Sequence, residues 1–112
     1  MSKIKFHRIS VQKVVEYNDP FCMLDITEES VLKCKNTKEF LEEENRTKWY
    51  HYGRIQYFIN KLKNKRYIEP ILIEWQFEAD LKDQIPLIYN GVHRLAAYVL
   101  TGRKIMLVEY VD

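Results

Sequence analysis

The stretch Ile88-Tyr89-Asn90-Gly91-Val92-His93-Arg94 sets an imidazole and a guanidinium just after a glycine, where an apolar run gives way to an amphipathic one. Glycine reaches backbone conformations closed to most residues. A strand that turns into a helix through it exposes the first amide N–H groups of the helix, which have no intrahelical partner. Those donors, with the positive end of the helix dipole, attract an anion. Arg94 adds a fork of donors that matches phosphate oxygens two at a time. His93 can donate to a phosphate or carry a proton near neutral pH. The chemistry within reach is phosphate binding and, given a base, phosphoryl transfer. The plain alternative is a turn with two solvated side chains.

More cations stand upstream. Residues 46–66 hold seven bases and no acid, whereas residues 18–45 hold eight acids and three bases. A local field of one sign concentrates anions even when the whole chain carries only +2. Arg54, Tyr57 and Lys61 recur at helical spacing, which predicts two cations and a hydroxyl along one helix edge. Lys48, Lys63, Lys65 and Arg66 of the same block are candidate nucleic-acid contacts, with Trp49, Tyr50, Tyr52 and Tyr57 interleaved as stacking surfaces. A solvated helix face accounts for the same block. No Walker motif is present, which removes P-loop NTPases. His7, His51 and His93 lack metal-ligand spacing, so no metal site is expected, and no serine or cysteine triad is visible.

The elements that must position these residues are legible in outline. One domain with 46% apolar residues is expected. No 18-residue apolar run and no secretory h-region occur, so a cytoplasmic chain without a membrane partner is expected. Cys22 and Cys34 read as reduced thiols. A strand over residues 4–9 precedes a short helix, 11–17, capped by Ser10 and broken by Asn18-Asp19-Pro20. Thr27 and Asn36 could each cap a helix in the acidic stretch, which reads as a helical insertion over about 18–48. Ile55, Phe58, Ile59 and Leu62 form the apolar stripe of the best helix. "ILIEWQF" and "IPLIYN" read as an antiparallel hairpin, and 92–101 as a helix stopped by Gly102. "KIMLVEYVD" reads as a last strand on an edge of its own. The order predicts an α/β or α+β domain, a small mixed sheet with packed helices.

"YNGVHRLAAYVLTGRKIMLVEYV", preceded by "GRIQYFINKLKNKRYIEPILIEW", resembles the signature of the ParB/sulfiredoxin-like superfamily. There a helix and a "PI" strand lead to a glycine turn, a His-Arg or Arg-Arg pair and a second helix. The likeness covers roughly residues 50–111. It implies a stand-alone small member of that fold, with nucleotide phosphates on Asn90, Gly91, His93 and Arg94 and a basic helix edge at Arg54, Tyr57 and Lys61. Sulfiredoxins place a catalytic cysteine directly before the His-Arg pair. Val92 stands there in this chain, and a hydrocarbon cannot be that nucleophile. Partition proteins carry a downstream helix-turn-helix and a dimerisation domain, and with the sequence reaching Asp112 just after the last strand a complete partition protein is not expected. Related serine kinases use an early glutamate as base, and Glu16 is the acid nearest that place.

Two functions follow as expectations. One is a nucleotide-binding domain using ATP or CTP with Mg²⁺, extending to phosphoryl transfer or hydrolysis with His93 and Glu16 as catalytic candidates; Glu69 and Asp112 are further carboxylates for a base or metal. The other is a small regulatory or DNA-binding accessory protein of a phage or plasmid without catalysis.

Overall fold

The computed structural model describes residues 4–33, 48–77 and 84–111. Strand β1 (Ile4–Ser10) runs straight into helix α1 (Val11–Tyr17). Ser10 caps that helix by accepting from the Lys13 amide at 3.4 Å. Two short helices follow, α2 (Pro20–Leu24) and α3 (Glu28–Lys33). Asp19 caps α2 through the Phe21 and Cys22 amides, with Pro20 at the first helical position, where its missing N–H costs nothing. Thr27 accepts from the Ser30 amide at 3.1 Å to start α3. The Asn36 cap lies outside the described residues, as do Cys34 and Asp112.

The long helix α4 (Lys48–Lys63) leads to β2 (Ile71–Phe77), β3 (Gln84–Asn90), α5 (Val92–Leu100) and β4 (Ile105–Val111). The expected stripe of α4 faces inward: Ile55, Ile59 and Leu62 are buried and Phe58 packs against them. This is an α+β architecture, a mixed four-stranded sheet with five helices among the described residues. The expected hairpin pairs β2 with β3 antiparallel, with a register shift at Leu72/Ile73. No described helix is long and apolar enough to cross a membrane.

The strand order β1-β4-β2-β3 corrects one expectation. β4 is not on an edge; it lies inside the sheet, antiparallel to β1 and parallel to β2. Met106 and Val108 enter the core while Ile105 and Leu107 stay exposed on the other face, so the alternation marks a half-buried strand, and backbone pairing to β1 and β2 decides its interior place. The edges are β1 and β3, and on the free side of β3 Pro86 removes a ladder donor without harm.

The core binds the ends of the chain to the site. Ile71 and Ile73 of β2 meet Leu95, Ala96 and Ala97 of α5 and Ile55 of α4 in one buried cluster. Each large aliphatic side chain there contributes roughly 1.5–3 kcal/mol by leaving water. The described part of the acidic stretch joins this core through Ile26 and Val31, and the Gln56 side chain donates to the Val31 carbonyl. Buried Asn18 ties α1 to the free edge of β3. Its Nδ2 donates to the Val14 and Pro86 carbonyls at 2.8 Å each, and its Oδ1 accepts from the Ile88 amide at 3.0 Å.

Candidate phosphate-binding cleft

The turn that opens α5 is built around Gly91. Its φ of 118° lies where side chains are strained, and a Cβ there would sit 3.1 Å from Ile71 Cγ1 and 3.2 Å from Arg94 Nη2. The chain therefore needs glycine twice, for backbone conformation and for the close approach of β2. Gly91 offers no side chain to cap α5, so the helix starts without a side-chain cap on its first amides.

Arg94 leans back from this turn across the start of β2. Its Nη1 donates to the Glu69 carbonyl at 2.9 Å and the Pro70 carbonyl at 2.8 Å. These bonds let a guanidinium sit in a buried position, because each captures a carbonyl just before the strand begins. Burial is the largest influence on its acidity and pushes its pKa down, the Glu69 carboxylate opposing. An arginine remains charged through such a shift.

Arg94 forms one wall of a cleft of about 420 Å³ between α4, α5 and the segment before β2. Arg54, Tyr57, Phe58 and Lys61 line it from α4, Asn90 from the end of β3, and Tyr67, Ile68 and Glu69 from the connecting segment. The α4 residues fall at helical spacing, so the helix presents them along one edge. The Arg54 guanidinium lies 5.3 Å from the Phe58 ring centre, and Lys61 Nζ lies 4.8 Å from that of Tyr57. Among the described residues neither cation has an anionic partner, and the buried Nε of Arg54 has no hydrogen-bond acceptor. They stand seven positions apart, about 10 Å of rise along the helix axis. Two unneutralised cations along one helix edge suit an elongated anion such as a chain of phosphates.

Five of the seven expected phosphate contacts thus share one cleft: Arg54, Tyr57, Lys61, Asn90 and Arg94. Gly91 shapes the turn without lining the cleft. His93 does not line it either. Its Nε2 lies 2.8 Å from His51 Nδ1, the two rings stack at 5.0 Å, and Tyr50 meets both edge-on. Burial above all, then the nearby positive or protonatable His51, Arg54 and Arg94, pull the His93 pKa down to about 4. It is a neutral imidazole at pH 7. Burial also lowers the His51 pKa, and it raises that of Tyr98 further along α5.

The remaining candidates are scattered. Glu16 is exposed on α1 and lines no part of the cleft. Lys63 sits about two and a half helical turns from Arg54, which carries it to the far side of α4. Lys65 and Arg66 are exposed in the turn after α4, next to the cleft-lining Tyr67. Lys48 opens α4, and its side chain lies outside the described residues. Cys22 is a free, exposed thiol. Tyr67 and the His51 partnership were missed by sequence reasoning. The spacing from His51 to Arg54 is one helical turn, a signal that could have placed His51 on the same edge.

No family model, no curated protein and no solved structure matches this chain.

Proposed function

We propose that this chain is a nucleotide-binding domain that holds a nucleoside triphosphate, ATP or CTP with Mg²⁺, by its phosphates in the cleft between α4 and α5. The observation that carries the reading is the pair Arg54 and Lys61, two cations seven positions apart on one helix edge that line the same cleft and have no anionic partner among the described residues. Arg94 and Asn90 close the opposite wall, and the cleft volume falls in the range of small-ligand pockets. The strand-glycine-helix turn and its likeness to the ParB/sulfiredoxin-like signature support the same ligand class. The donor set fits Mg²⁺ that arrives with phosphates: Glu69 is the one carboxylate in the lining, and no group of three or more His, Cys, Asp or Glu able to hold a metal occurs among the described residues. Mg²⁺ held there by Glu69 together with the phosphates would neutralise phosphate charge.

The test is calorimetric titration with ATP and CTP, alongside thermal shift, since a ligand of the native state raises its stability by mass action. Arg54→Ala and Lys61→Ala should each weaken binding about tenfold, the scale of one charge-assisted hydrogen bond. Absence of heat and of any shift with both triphosphates at millimolar concentration refutes the proposal. Phosphate released in the same samples reports transfer of the γ-phosphoryl group to water with the nucleoside diphosphate leaving, which needs a group that positions or deprotonates that water.

A single nucleic-acid strand is the second reading, favoured by exposed Lys65, Arg66 and Tyr67 beside the cleft. It requires an affinity for oligonucleotides that falls steeply with salt.

A further inference from the structure

We infer that Glu69 is the protein's own contact to a phosphate-bound Mg²⁺, so that one carboxylate makes the cleft prefer a metal-complexed polyphosphate over the free anion. The inference rests on the phosphate reading above and names the form of ligand that the cleft selects.

Glu69 is placed for this by its neighbour and left free for it by its backbone. Arg94 Nη1 holds the carbonyls of Glu69 and Pro70, which fixes the main chain beside the Arg94 wall. The hydrogen bonds use backbone oxygen, so the Glu69 side chain takes no part in them. Its carboxylate is near enough to be the largest charge influence on Arg94, yet it forms no ion pair among the described residues. It is exposed and lines the cleft that Arg54 and Lys61 line from the other side.

An acid in an anion site is a defect unless something positive comes with the anion. Free triphosphate would meet Arg54 and Lys61 favourably and Glu69 unfavourably. A polyphosphate carrying Mg²⁺ reverses the second contact. Mg²⁺ is held in proteins through one or two carboxylates together with substrate phosphates, and it keeps several of its waters. One carboxylate beside a phosphate chain satisfies that pattern. The protein alone does not, because no cluster of three or more potential ligands exists among the described residues. Mg²⁺ should therefore bind with the phosphates and not before them.

The charge logic makes opposite predictions in two buffers. The probe is inorganic tripolyphosphate, which removes any contribution of base or sugar, titrated into the wild type and Glu69→Gln. In EDTA the variant should bind about fivefold tighter, the effect of removing one like charge about 8 Å away in a partly wet site. In 10 mM MgCl₂ the order should reverse, with the wild type binding tighter by a similar factor. Mg²⁺ alone should give no heat with either protein. Unchanged melting temperature of Glu69→Gln without ligand shows that the fold is intact, as expected when only backbone carbonyls serve Arg94. If Glu69→Gln binds equally or more tightly in both buffers, the inference is overturned. Failure of both proteins to bind in either buffer overturns the phosphate reading itself, and this inference with it.

Discussion

Replacing Gly91 by alanine isolates the contact on which the α5 turn depends. Two terms add. An alanine at a φ of 118° carries backbone strain of about 1–2 kcal/mol. Its Cβ would also stand 3.1 and 3.2 Å from the side chain of Ile71, which is fully buried and cannot retreat, and 3.2 Å from Arg94 Nη2. Overpacking of this kind costs about 1–3 kcal/mol. The sum is about 3 kcal/mol, a large part of the stability of a small domain. Gly102 provides the control. It too has a positive φ, 69°, but a Cβ there meets nothing within 4 Å. Gly102→Ala should therefore cost only the backbone term, about 1 kcal/mol. Urea denaturation with a common m-value measures both, and the expected gap is about 2 kcal/mol. Tripolyphosphate affinity should fall in Gly91→Ala, because the Cβ displaces Arg94, and stay unchanged in Gly102→Ala. If the two variants lie within 0.5 kcal/mol of each other, the close approach of β2 is not what demands glycine.

Other expectations follow from the buried polar groups. Asn18→Ala should lose roughly 2–3 kcal/mol, since the Ile88 amide and the Pro86 carbonyl are left without their buried partner. Asn18→Asp should be worse at pH 7, where a carboxylate faces the Val14 and Pro86 carbonyls, and should recover part of the loss near pH 4; equal loss at both pH values would contradict that account. The His51–His93 pair makes stability fall with acid. With a folded pKa of about 4 for His93 against 6.5 unfolded, the unfolded chain binds more protons in between. The contribution is complete above pH 6.5 and lost as pH falls towards 4. Between pH 7 and 5 the loss should be on the order of 1–2 kcal/mol after solvent screening, and His93→Gln should flatten the slope in urea melts across that window.

Local chemistry made much of this legible before any packing was known. Ser10, Asp19-Pro20 and Thr27 mark helix starts because their side chains or rings act on amides one to three residues away. The α4 stripe follows from a fixed helical period, and that period also places Arg54, Tyr57 and Lys61 on one edge. The Asn90-Gly91 turn is legible because glycine is needed where φ is positive. What these signals share is short range.

The rest depended on residues far apart in sequence. β4 became an interior strand through hydrogen bonds to β1 at the other end of the chain, and no local pattern specifies a partner 100 residues away. The sequence places His93 beside Arg94, but only the packing of α5 on α4 gives it His51 as a partner and buries it away from the cleft lining. Arg94 looked like a free fork until its Nη1 was taken by two carbonyls before β2. Composition by itself determined that the block 46–66 is cationic. Only tertiary structure decided which of those charges share a cleft, because a helix spreads neighbours in sequence around its axis and solvation is settled by what packs beside them.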